Sequence, residues 1–133
     1  MADRIKFMIP GKPAYLTMVR LAIGSIADMS GFDIEEIEDI KTAVSEACKN
    51  ISCHGLSGFA EEYTVECVAE EGRMEIYVTD NSDGHVLEKV AKPCLDCPNE
   101  GNLGVFVIRS LMNEIELIDS AQGKKTIRMV KYK

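Results

Sequence analysis

From Ile37 to Ile51 the apolar residues Ile37, Ile40, Ala43, Val44, Ala47, Cys48 and Ile51 recur at helical spacing, which predicts a helix with one face in a core. Asp33 suits its N-cap, Glu36 three residues later makes a capping-box pair, and Gly55 is the expected end. A second stripe of Tyr15, Met18, Val19, Ala22, Ile23, Ile26 and Ala27 predicts an earlier helix. Pro13 suits its first turn, and Ser30-Gly31 its end. A third stripe, Val105, Ile108, Leu111 and Met112, follows Gly101-Asn102-Leu103-Gly104. Residues 4–9, 63–69, 73–79, 114–118 and 126–132 instead have strand character, and Glu70-Glu71-Gly72 joins the second and third of them as a hairpin. Residues 84–102 form a long connection with room for a short helix or 3₁₀ turn near 86–90; connections of that length serve as functional lids or are disordered. The order predicts an α/β two-layer sandwich: a mixed sheet covered on one face by helices.

Length and charge narrow the classes. The 133 residues suit one domain, 1–133, without repeats or an internal boundary. A net charge of −7 argues against direct nucleic-acid binding through a basic surface, but leaves nucleotides open, because backbone N–H groups and a metal can hold phosphates. No apolar run approaches the roughly 20 residues of a membrane helix, and the N-terminus has no secretion-signal core. The expected location is cytoplasmic, without membrane contact. Five cysteines then read as reduced thiols. Cys48, Cys53 and Cys67 fit as small core residues. Cys94 and Cys97 form a lone Cys-x-x-Cys in the long connection. It has neither the second pair a structural zinc wants nor the strand-to-helix context of a redox pair. Zinc shared between two chains stays open.

Three polar features could meet at one site. Glu46 and Asn50 lie four residues apart on one side of the central predicted helix. Alone they read as a polar flank; together they could hold a divalent ion and orient a hydroxyl. Asp80 closes a strand ahead of Asn81-Ser82-Asp83-Gly84, which alone reads as a turn. Gly101 and Gly104 open a helix, where glycine lets backbone N–H groups approach phosphate.

In this order and with these gaps, the residues resemble the GHKL superfamily of ATPases and, within it, the anti-sigma-factor serine kinases. Glu46-Ala-x-x-Asn50-x-x-x-His54-Gly55 is similar to that family's N-box. Asp80-x-Ser82-x-Gly84 resembles its first glycine box, and Gly101-x-Leu103-Gly104-Val105 with the helix to Glu114 its second. The resemblance implies a Bergerat-type ATP-binding fold, a histidine-kinase-like ATPase domain with an ATP lid at about 84–100. It implies Asn50 as ligand of Mg²⁺ on ATP, and Glu46 as general base or orienter for a substrate serine. Asp80 would accept from the adenine amino group, Ser82 would offer a hydroxyl, and Gly84 would give the base close approach. Gly101, Leu103, Gly104 and Val105 would wrap the phosphates, and Thr126 would lie near the adenine end. The implied partners are an RNA polymerase sigma factor and an anti-anti-sigma substrate, and the implied assembly is a homodimer. Ser82 stands where the family usually has glycine, and Gly123-Lys124-Lys125-Thr126 departs from its Gly-Thr pair. Both motivate an alternative, a nucleotide-binding partner-switching module without kinase activity.

Overall fold

The computed structural model describes residues 2–51, 62–80, 103–119 and 125–133. Strand β1 (Asp3–Pro10) leads through a 3₁₀ turn (Pro13–Tyr15) into helices α1 (Leu16–Met29) and α2 (Ile34–Asn50). Strands β2 (Glu62–Glu70) and β3 (Arg73–Asp80), helix α3 (Leu103–Leu111), and strands β4 (Glu114–Asp119) and β5 (Lys125–Tyr132) complete the described chain. The elements follow their sequence signals closely. Asp33 Oδ1 accepts from the Glu36 N–H at 2.8 Å, and Glu36 Oε1 accepts from the Asp33 N–H at 2.9 Å, so the capping box is complete. Helix α1 ends in a Schellman arrangement: Phe32 N–H donates to Ala27 O and Gly31 N–H to Asp28 O. That arrangement needs Gly31 at φ +89°.

The five strands form one sheet in the order β1-β2-β3-β5-β4. The expected two-layer α/β sandwich is present, but the mixed sheet is not: every neighbouring pair is antiparallel. Helix α3 does return the chain so that β4 points the same way as β3. The last strand, β5, enters between them and pairs antiparallel with both. Two helices between β1 and β2 likewise leave those strands antiparallel.

Cross-strand rows on one face build the core. Phe7, Val65, Val78, Ile127 and Leu117 make one row, and Ile5, Cys67, Ile76, Met129 and Ile115 the next. Val19, Ile23, Ile40, Val44, Ala47 and Cys48 of α1 and α2 pack down on them. Cys48 and Cys67 are buried core residues, as expected. Burial pushes both thiols up to about 12, so they stay protonated and unreactive near neutral pH. The Tyr63 hydroxyl faces the Cys48 thiol and makes no ordinary hydrogen bond; burial first, then Cys48, raises its pKa.

The opposite face is polar. Arg128 donates from Nε to Glu75 at 2.9 Å and from Nη1 to Glu114 at 3.3 Å. Burial alone would raise Glu75, but bonds from Arg128 and Tyr77 outweigh it and hold its carboxyl below the usual range.

Two contacts fix which end of the helices meets which end of the sheet. Lys131, cross-strand partner of Met74 near the β2–β3 turn, reaches the Leu111 carbonyl at 2.6 Å and Asp39 at 3.7 Å. The start of α2 and the finish of α3 therefore sit at the hairpin end. From there α2 runs about 16 Å from Asp39 to Asn50, and β3 about 20 Å from Met74 to Asp80. Asn50, the α3 N-terminus and Asp80 thus share the other end.

Candidate functional site

The site is built where α2 stops, α3 starts and β3 ends. Glu46 and Asn50 are half-buried in the closing turns of α2. Asn50 Nδ2 donates to the Glu46 carbonyl at 2.7 Å and to Glu46 Oε2 at 3.3 Å. Those bonds tether the carboxamide to its own helix; the atom of it that can meet a cation is Oδ1, its acceptor. Gly104 in the first turn of α3 abuts the same carboxamide. A Cβ at Gly104 would lie 2.1 Å from Asn50 Nδ2 and 2.6 Å from Cγ. Only glycine lets the α3 N-terminus come this close, because backbone and carboxamide share the volume a methyl group would fill.

Helix N-termini present N–H groups without intrahelical acceptors, and the helix dipole favours an anion there. The first turn of α3 contains no acidic residue, so nothing in it opposes a phosphate. Leu103 is exposed, whereas the Val105 side chain is buried. What Val105 can offer a ligand is therefore its backbone.

Asp80 closes β3 on the helix-covered face, in the row Ile9–Tyr63–Asp80, and is only 2% exposed. A carboxylate buried at an element end costs several kcal/mol unless it is compensated, and Asp80 is engaged by a partner within the protein. A carboxylate has about four lone-pair sites, so it can meet a ligand's donor as well.

Thr126 sits at the same end but on the other face. Its Oγ1 lies 2.9 Å from Thr79 Oγ1, and Thr79 is the cross-strand partner one residue before Asp80. Strand pleating sends adjacent side chains to opposite faces, so Thr126 does not join Asp80. On the Asp80 face β5 instead presents Lys125, which continues the Thr79–Thr126 register by one position. Sequence reasoning started this strand at Thr126 and so missed Lys125. The phase of Ile127 and Met129 was the signal that could have found it.

Ser82, Gly84, Gly101, the lid at about 84–100, the short element near 86–90, Cys53, His54, Cys94 and Cys97 lie outside the described residues. So does the end of the α2 helix expected at Gly55. Among the described residues no three His, Cys, Asp or Glu side chains cluster to hold a metal. The residues present nevertheless fit Mg²⁺ carried on a nucleotide. Asn50 offers one hard oxygen beside a glycine-opened helix start, and Mg²⁺ commonly takes only one or two protein ligands plus phosphates and water. No helix among the described residues is long and apolar enough to cross a membrane.

Fold and geometry define a class first: a helix-covered antiparallel sandwich whose polar groups converge at one end of its helices and strands. Comparison with known proteins makes it specific, because the model of the histidine kinase-like ATPase domain matches residues 9–131, and the chain belongs to that family. An ATPase domain implies use of ATP. Among its relatives is the serine-protein kinase RsbW of Bacillus pumilus, 34% identical over 98% of this chain and 86% of that one. The RsbW of Listeria monocytogenes is 36% identical over 88% and 80%. The fold recurs in the crystal structure of the RsbU and RsbW domains of a Mycobacterium tuberculosis protein. It has a TM-score of 0.67 at 18% identity, over 98% of this chain and 32% of that one. It recurs again in the SiaB–SiaC complex of Pseudomonas aeruginosa, with a TM-score of 0.60 at 15% identity, over 96% and 88% of the chains.

Proposed function

We propose that this protein is an ATP-dependent serine-protein kinase of the anti-sigma type. It sequesters a sigma factor and phosphorylates a serine of an anti-anti-sigma protein, working as a homodimer in the cytoplasm. The observation that carries the reading is the Glu46 carboxylate beside the Asn50 carboxamide, 3.3 Å away and facing a glycine-opened helix start.

Each residue then has a task. Asn50 Oδ1 would hold Mg²⁺, which would supply charge neutralisation at the phosphates. The backbone N–H groups of Gly104 and Val105, with Gly101, cradle the phosphate oxygens. Asp80 accepts from the adenine amino group, and the motif resemblance assigns Ser82 and Gly84 to the same base contact. Glu46 orients the attacking serine hydroxyl and takes its proton. Positioning and charge neutralisation carry most of such a transfer, so this short set of groups suffices.

The test is phosphoserine formation on the antagonist protein with Mg-ATP, read by mass spectrometry for wild type and Glu46→Ala. Loss of one catalytic group typically lowers the rate about 10²–10⁴-fold, and ATP affinity should hardly change. Normal transfer by Glu46→Ala removes Glu46 from the chemistry. Tight ATP binding with no transfer by wild type favours the partner-switching module without kinase activity.

A further inference from the structure

The position of α3 decides whether its N-terminal N–H groups can reach a phosphate, and the helix is held at both ends. At its first turn Gly104 abuts the Asn50 carboxamide, and it is the only glycine between Leu103 and Leu111. A slide of α3 along α2 by one residue's rise, about 1.5 Å, carries that gap away from the carboxamide. The helix therefore has one register in which its start closes on α2.

The far end is where that register is held. The last carbonyls of a helix have no intrahelical partner, and the dipole there favours a cation. Lys131 of β5 meets both needs: its Nζ donates to the Leu111 carbonyl at 2.6 Å and lies 3.7 Å from Asp39 Oδ2 on α2. The Lys131 side chain is only 14% exposed, so this tie is screened less than a surface ion pair. Arg109 also puts a cation in the last turn of α3, but it travels with the helix. Lys131 and Asp39 belong to other elements and can fix it. Their footing is firm, because the residues flanking Lys131 are bonded to the turn after α3. Asn113 N–H donates to Val130 O at 2.9 Å, and Tyr132 N–H to Asn113 Oδ1 at 2.8 Å. Only about 10 Å of helix separates Leu111 from Gly104. Over that length a helix moves as a rod, and a shift at its last turn reaches its first.

We propose that Lys131 is a positioning residue for phosphate binding. By tying the last carbonyl of α3 to Asp39 it holds the helix in the register that sets its N-terminus beside Asn50. This assignment rests on the nucleotide-site reading above and deepens it, by naming a group remote from the ligand that sets its affinity.

The experiment measures the affinities of wild type, Lys131→Met and Lys131→Arg for MgATP and for adenosine, which has no phosphate. Titration calorimetry reads the first and NMR titration the second, both well below the melting temperature of each protein. Lys131→Met should bind MgATP about 10-fold more weakly, inside the 10²-fold that a misplacement of about 1 Å can cost, with adenosine affinity unchanged. Lys131→Arg, which can still donate to the carbonyl and face Asp39, should restore MgATP binding. If Lys131→Met fails to fold, Asp39→Ala at the more exposed end of the same tie should show the same selective loss, smaller in size. A lower melting temperature with both affinities unchanged makes Lys131 merely structural and overturns the assignment. Equal losses for MgATP and adenosine overturn it too, because the tie then does not act through α3. A wild type that binds no MgATP overturns the site reading and this assignment together, and is told apart from the other failures, in which wild type binds.

Discussion

Gly104→Ala isolates the closest contact in the site. A methyl group there would lie 2.1 Å from Asn50 Nδ2, 2.6 Å from Cγ and 2.9 Å from Oδ1. Ordinary contacts to carbon lie at about 3.5–4.0 Å, so the carboxamide must withdraw by more than about 1 Å or α3 must lift. The alanine gains up to about 1 kcal/mol of helix propensity, and overpacking costs about 1–3 kcal/mol. The net change in stability is therefore small, about 0–2 kcal/mol in the destabilising direction. The expected effect on ligand is larger, because displacing the oxygen proposed to hold Mg²⁺ by about 1 Å can cost 10²-fold. Calorimetric titration with ATP, with and without Mg²⁺, should show MgATP binding about 10–100-fold weaker and most of the Mg²⁺ dependence gone. A double-mutant cycle locates the cause. In an Asn50→Ala background the clashing carboxamide is absent, so Gly104→Ala should then cost almost nothing further. Additive losses, or a Gly104→Ala protein that binds MgATP like wild type, would refute the argument that this glycine exists to admit Asn50.

Two predictions concern the scaffold. Asp33→Ala breaks the capping box and should lower stability by about 1 kcal/mol, read as a drop of about 3–5 °C in melting temperature. The Cys48 and Cys67 thiols, pushed up to about 12 by burial, contribute stability that is complete below their unfolded pKa near 9 and lost as pH rises toward 12. The raised Tyr63 hydroxyl acts in the same direction. Urea midpoints should hold between pH 7 and 8.5 and then fall, with each group adding a slope of up to about 1.4 kcal/mol per pH unit. A flat profile to pH 10.5 would contradict the burial of these groups.

Much of the fold was legible because its signals are local. Apolar periodicity located α1, α2 and α3, alternation located the strands, and Asp33 with Glu36 marked the start of α2 before any tertiary contact was known. Sheet direction was not legible, because the insertion of β5 between β3 and β4 is a choice of long-range partner that no local pattern encodes. In the candidate site, Glu46, Asn50, Asp80 and Gly104 could be named from their motifs. The contact between Gly104 and Asn50 joins two helices far apart in sequence, and only packing reveals it. Thr126 lies at the same end of the sheet as Asp80 but on the opposite face. A strand's phase is set by its buried residues, here Ile127 and Met129, and that phase gives the inner position to Lys125.

The central claim is that the end of the sandwich holding Asn50, Gly104 and Asp80 binds the adenine nucleotide. Its most direct test is the MgATP dissociation constant of wild type beside Asp80→Asn, a near-isosteric change that replaces a charged acceptor. Hydrogen bonds to charged groups contribute about 1.5–3 kcal/mol, so Asp80→Asn should bind about 10–100-fold more weakly while keeping its fold. Equal affinity in the two proteins, or no binding by wild type, would contradict the account.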